Sequence, residues 1–325
     1  MKSKSPNPKH PFRCFGFLFF TFLFLSACAQ PSEPKAWITN QLEDTVSVID
    51  TRTQQPIATI TVGHRPVGVA ISKPYVFISN AESRDISIID RKSMNVIKTL
   101  PVGEGPVGLA ADPEGKKIYV ADWYRHLVFV IDAGTGKIEH EIKVGKSPAG
   151  ILINPANDQL YVANRDSDSV SIIDLTDYET LAELPAGDAP FGLALNPVNH
   201  DLYAVNVRSN NVTVIDTHRL EVKTTIDVGE WPYCAITTTN GKRLFITNQD
   251  DDSVTVIDTE TNKKIAVIEI GETPEGIDRT PDGQYIYAVN WGSGDVSVID
   301  TETLKVTTTV KAGEGSRAFG LFIDH

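Results

Sequence analysis

The sequence predicts an all-β fold, a seven-bladed β-propeller with four-stranded blades, and three ladders of residues predict it. Asn40, Asn80, Asp122, Asn164, Asn206, Asn248 and Asn290 form the first ladder. Asp50, Asp90, Asp132, Asp174, Asp216, Asp258 and Asp300 form the second, and Gly63, Gly103, Gly145, Gly187, Gly229, Gly271 and Gly313 the third. Each steps by 40 once and then by 42 five times. A period in the low forties, built from short β-like runs, is what one four-stranded blade per repeat produces.

Residues 161–196 show how one copy reads. Tyr161-Val-Ala-Asn164 is a short strand, and residues 165–169 are a polar loop opened by the asparagine. Val170-Ser-Ile-Ile-Asp174 is a second strand, Tyr178 to Pro185 a more polar third, and Pro190-Phe-Gly-Leu-Ala-Leu-Asn196 a fourth. No repeat carries a helical period.

Side-chain size orders the strands radially. Blades converge on the axis, so the innermost strand must be thin, as in Gly68-Val-Ala70, Gly108-Leu-Ala110, Gly192-Leu-Ala194 and Gly276-Ile277. Middle strands such as Val254-Thr-Val-Ile257 meet neighbours on both faces. The outermost should be polar, because an open edge invites pairing with other chains. The first copy lacks an inner strand, while the chain ends on an unpartnered one, Phe319-Gly-Leu-Phe-Ile323. That last strand is expected to complete the N-terminal blade and close the ring.

Residues 1–27 read as a lipoprotein signal peptide, 28–35 as a short tether and 36–325 as the propeller. Lys2, Lys4, Lys9 and Arg13 give a basic start, followed by the apolar run 15–25. Eleven residues are too few to span a bilayer as a helix, which takes about 20, so the run is a signal-peptide core. It ends in Leu25-Ser26-Ala27-Cys28, where lipidation of Cys28 is expected. Ordinary secretion with cleavage near Ala27 or Ala29 is the alternative. Acyl chains on Cys28 would tether the domain to a membrane, and resemblance to Gram-negative lipoproteins that lack aspartate after the cysteine, as here with Ala29, implies the periplasmic face of the outer membrane.

Removing residues 1–27 takes four cations and no anions from a chain of net charge −12, leaving −16. Such a charge disfavours nucleic acid, whose sequence-independent binding depends on Lys and Arg. With Cys14 in the signal and Cys28 lipidated, Cys234 stands alone and no internal disulfide forms. A monomer is expected.

Tyr161-Val-Ala-Asn164, Tyr203-Ala-Val-Asn206, Phe245-Ile-Thr-Asn248 and Tyr287-Ala-Val-Asn290, with the recurring Ser-Val-Ile-Asp-Thr and Val-Gly-x-x-Pro segments, resemble the YVTN family of β-propeller repeat proteins. The resemblance covers residues 36–323. It implies the propeller fold and an envelope setting. More distantly it is similar to surface-layer propellers, the haem-carrying propeller of periplasmic nitrite reductase and amine dehydrogenase heavy chains.

Seven acids at one period are structural, since each can accept turn N–H groups, and the ladder asparagines can tie the loops that follow them. Gly103-Glu-Gly-Pro-Val-Gly108 matches G-x-G-x-x-G without a following helix, so it is no dinucleotide site. Asp250-Asp-Asp252 lacks the ligand spacing of a calcium loop. Function is expected where copies differ, on loops held by the frame. Those loops share one face, here the loop face, with the Val-Gly-x-x-Pro leads to the inner strands; regular turns occupy the opposite, turn face. Trp123, Trp231 and Trp291 fall on the loop face, and Arg65, Tyr233, Glu275 and Arg317 are placed around the central mouth. Such a mouth suits a small anionic or aromatic ligand; the competing reading is that Arg65, Glu275 and Arg317 pair with one another and close it. His64 is a weak candidate metal ligand, and no metal site is otherwise predicted. Cys234 replaces an inner-strand glycine and reads as a small buried side chain.

The chain is therefore expected to be a non-catalytic, envelope-anchored binding scaffold for a protein, glycan or small ligand. The alternative is an enzyme or cofactor carrier, lactonase-like, lyase-like or haem-handling, that uses the central funnel. No cofactor is predicted, and haem is the one kept open. The sequence shows no H-E-x-x-H, C-x-x-C-H or phosphate loop.

Overall fold

A computed structural model describes residues 34–156 and 158–324. The signal segment, Cys28 and most of the tether lie outside the described residues. Among those described, antiparallel strands form seven blades in a ring: a seven-bladed β-propeller. In the type copy the strands are Gln159–Asn164, Ser169–Asp174, Thr180–Pro185 and Pro190–Leu195. Tyr178, expected to open the third strand, instead sits in a turn with positive φ (65°).

Burial follows the radial order. The strand after each inner one is buried almost throughout, as in Arg243–Asn248, and so is the next, as in Ser253–Asp258. Neighbouring blades cover both faces, so these strands carry near-continuous Val, Ile and aromatic runs rather than strict alternation. The outer strands alternate instead, as in Lys263–Glu269. They are less polar than the sequence suggested: Ile57, Ile97, Leu181, Ile265 and Val267 are exposed on them. In every blade the pairing of the two outermost strands shifts register at one point, for example between Val256 and Ile257. Such bulges increase local twist and blunt an edge without requiring charge.

The inner strands pack backbone to backbone around the axis. A Cβ on Gly108 would lie 2.0 Å from the carbonyl oxygen of Ala149 in the next blade, so only glycine fits there. Leading into each of six inner strands, the register shifts between the proline and the third residue after it, as between Pro66 and Val69.

The ring closes as the order of elements predicts. The first blade, Lys35–Asn40, Thr45–Asp50 and Gln55–Thr61, has three strands of its own. Residues 316–324 fill its inner position: Asn40 bridges Ser316, Ala36 bridges Ile323, and the Trp37 N–H donates to the Phe322 carbonyl at 2.8 Å. The segment is less regular than other inner strands. Its Phe319–Gly320 portion pairs in parallel with Gly68 and Val69 of the second blade. Asp324 adds side-chain ties, accepting from the Trp37 indole at 2.9 Å and lying 3.0 Å from Arg91.

The ladders are the frame. Asn40, Asn80, Asn164, Asn206, Asn248 and Asn290 are fully buried. Each donates from Nδ2 to side-chain oxygens five and seven residues on, such as Ser253 (3.0 Å) and Thr255 (2.9 Å) for Asn248. In the third blade those positions are Leu127 and Phe129, which cannot accept, and Asp122 replaces the asparagine. Its carboxylate instead accepts backbone N–H groups of Glu104, Gly105, Tyr124 and Arg125. The second ladder caps turns: Asp258 Oδ1 accepts the Thr261 N–H at 2.8 Å and its hydroxyl at 2.7 Å. No helix among the described residues is long and apolar enough to cross a membrane.

Candidate functional site

The leads to the inner strands bring their first side chains together at the centre of the loop face, and these enclose a funnel of about 410 Å³. Val67, Val107, Trp123, Phe191, Val207, Trp231 and Tyr233 supply most of its wall, with Gln41, Arg165 and Arg317 as polar members. Its floor is aromatic. Phe191 lies 4.4 Å from Tyr233 and 4.9 Å from Phe319 between ring centroids, and Trp123 lies 6.2 Å from Phe191. These separations are typical of favourable tilted ring pairs. Below the rings the axial space shrinks to about 30 Å³ among Leu109, Ile151, Leu193 and Leu321, room for a water or two.

A polar network anchors this floor. Arg317 Nε lies 2.6 Å from Glu275 Oε2, an ion pair held by charge, since neither atom makes an aligned hydrogen bond. Arg317 Nη2 donates to the Tyr233 hydroxyl, and its guanidinium lies 5.7 Å from the Tyr233 ring. Gln249 Nε2 donates to Glu275 Oε1 at 3.0 Å. Burial pushes the Glu275 carboxyl up, against the opposing pull of Arg317 and Gln249. Burial works against the Arg317 charge too, but Glu275 and Tyr233 outweigh it and the guanidinium stays protonated. Burial also pushes up the Tyr233 phenol and the Cys234 thiol, so neither is a ready nucleophile.

The predicted site residues divide. Trp123, Trp231, Tyr233 and Arg317 meet at the funnel. Glu275 is buried beneath it. Arg65 is not at the mouth: its backbone turns through positive φ (55°), its Nε lies 3.5 Å from Glu82, and about half of its side chain is exposed on the rim. The three-way closure by Arg65, Glu275 and Arg317 thus reduces to the Glu275–Arg317 pair. Trp291 lines a separate groove with Leu42, Gly292 and Gly315, and reaches the funnel only through its indole bond to Gln41 (3.3 Å). His64 stands exposed with Nδ1 2.7 Å from Asp44 Oδ2, a bond that raises its pKa. Among the described residues no three His, Cys, Asp or Glu side chains gather as metal ligands.

Two features escaped the sequence reading. Arg165, in a single 3₁₀ turn at Arg165–Ser167, reaches the funnel and lies 5.5 Å from the Trp123 ring. In the sequence it lies in the polar loop 165–169 with nothing to set it apart. There is also a fourth ladder. Asp44, His126, Asp168, Asn210 and Asp252 accept the backbone N–H of Arg65, Ser147, Ala189, Trp231 and Thr273, each 21 residues on, at 2.8–3.0 Å. These bonds tie each loop to the lead of the next blade. They explain Asp252, and Asp251 likewise accepts the Glu230 N–H, so two acids of the triplet serve the frame. The shared period was the available signal, hidden because the residue type changes.

Three family models match parts of the chain: YNCE-like beta-propeller over residues 63–156, Lactonase, 7-bladed beta-propeller over 134–223, and Cytochrome D1 heme domain over 199–317. The chain is a β-propeller protein. Solved structures agree with this propeller. Hydrazine synthase of Kuenenia stuttgartiensis is 23% identical with a TM-score of 0.73, covering 82% of this chain and 92% of that one. A functionally unknown protein from Desulfotomaculum acetoxidans DSM 771 is 13% identical with a TM-score of 0.77, covering 88% and 98%. Dihydro-heme d1 dehydrogenase NirN, solved in complex with DHE, is 13% identical with a TM-score of 0.68, covering 89% and 77%. At these identities the propeller shares a fold with them and nothing finer. No curated protein matches its sequence.

Proposed function

We propose that this propeller is a non-catalytic binding module, anchored in the cell envelope by a lipid on Cys28, whose funnel takes a small ligand with a flat apolar body. The observation that carries the reading is Trp231. The frame gives no reason for a tryptophan there: its backbone is left-handed (φ 51°), a costly conformation for a bulky residue, and 42% of its surface is exposed. It faces a concave, mostly apolar wall with few polar groups, the usual composition of a small-molecule site. The setting at the periplasmic face of the outer membrane rests on the Leu25-Ser26-Ala27-Cys28 segment.

A haem-handling propeller is the second reading, favoured by the Cytochrome D1 heme domain match. The funnel residues do not fit that group. Among the described residues no His, Cys or Met lines the funnel, and the one tyrosine oxygen there is taken by Arg317.

The test is purification of the full chain from native membranes, with mass spectrometry of co-purifying small molecules and a visible spectrum. A compound held by the wild type and lost from Trp231→Ala, with melting temperature changed by no more than a few degrees, supports the module. Equal retention by both proteins removes the funnel from consideration, and a stoichiometric Soret band installs the haem reading instead.

A further inference from the structure

We infer that the funnel selects an acid: a ligand with a flat apolar body and a carboxylate that Arg165 receives. This rests on the reading of the funnel as a binding site and adds the chemical class of its occupant. Arg317 and Arg165 both lie against aromatic rings of the wall, but they are not equivalent. Arg317 is committed below the floor, with Nε at Glu275 and Nη2 at Tyr233. Arg165 has one side-chain partner, Asp166 Oδ1, at 2.6 Å from Nη1. The other oxygen of Asp166 is taken by the Ser147 hydroxyl at 2.7 Å. Asp166 therefore holds the guanidinium at one corner and cannot grip it with both oxygens.

A guanidinium carries five N–H donors in a planar fork, and a carboxylate is recognised by two parallel ones. Asp166 and the Trp123 ring restrict the Arg165 guanidinium, so its fork is partly ordered before a ligand arrives. The Ser147 hydroxyl bond, and after it Arg165, hold the Asp166 carboxyl below its usual range and keep it ionised for this task. Among the described residues no acidic side chain lines the funnel. An entering carboxylate meets the side of the Arg165 fork that Asp166 leaves open, within walls of low dielectric that strengthen the contact. The acidic exterior repels anions at long range, so selection has to come from this short-range geometry.

The experiment titrates the detergent-solubilised full chain with 2-naphthoate and with its neutral isostere 2-naphthamide, read by tryptophan fluorescence and calorimetry. The naphthoate should bind about tenfold more tightly or better, as a charge-assisted pair implies. Arg165→Gln should equalise the two ligands at unchanged melting temperature, and Arg165→Lys, which keeps the charge and loses the fork, should fall between. Arg65→Gln on the rim should leave the preference intact. Equal affinities in the wild type, or an undiminished preference in Arg165→Gln, overturn the acid selection while leaving an apolar pocket. Binding of neither compound to the wild type overturns both the selection and the funnel reading beneath it.

Discussion

Asp278 Oδ2, on the inner strand of the seventh blade, accepts the backbone N–H of Phe322 at 2.8 Å and that of Ile323 at the same distance. The carboxylate is fully buried, and it holds the segment that completes the first blade 44 residues further along the chain. A neighbouring blade thus fixes the closing strand where its own ladder is irregular.

Replacing Asp278 with Ala leaves two buried N–H groups unpaired, each worth roughly 1–3 kcal/mol. Asp278→Ala should therefore lower the unfolding free energy by about 2–4 kcal/mol in urea titrations, and Asp278→Asn, which still accepts, should recover part of the loss. A midpoint unchanged by Asp278→Ala would show that closure does not depend on this carboxylate.

The turn ladder gives a pH dependence of definite sign. Asp50, Asp90, Asp132, Asp174, Asp216, Asp258 and Asp300 are all held below the usual carboxylate range. At Asp50 burial pulls upward and is outweighed; across the ladder the lowering comes from turn N–H and hydroxyl donors. A folded pKa below the unfolded value near 3.9 means that the folded chain releases these protons more readily. The stabilisation is present above about pH 4 and is lost as pH falls through the folded values. Melting temperature should fall as pH drops below about 4, and more gently in a triple variant with Asp90, Asp174 and Asp258 changed to Asn. Identical slopes would mean that the acid sensitivity arises elsewhere.

His126 occupies a position where four other blades use Asp or Asn, and its Nδ1 accepts the N–H of the buried Ser147 at 3.0 Å. His126→Ala should cost about 1 kcal/mol, the net worth of one such bond. His126→Asp should restore stability to within a few tenths. If both variants unfold at the wild-type denaturant midpoint, the fourth ladder contributes nothing in this blade.

The sequence by itself determined the number of blades, the strand order and the circular closure. These depend on backbone pairing and on the width available at each radius, and both write a residue type at a fixed interval: glycine where neighbouring backbones meet, asparagine where one side chain must reach two side-chain oxygens. It also separated the frame from the exceptions, and Trp123, Trp231, Tyr233 and Arg317 do converge. Tertiary structure alone decided which of two loop arginines enters the funnel. Arg65 precedes an inner strand and shares its left-handed backbone with Trp231, yet its side chain goes to Glu82 on the rim; Arg165 lies in a polar loop, and its 3₁₀ turn lays it against Trp123. Side-chain direction on a loop follows from local backbone rotation and from neighbours supplied by other blades, neither of which leaves a periodic mark in the chain.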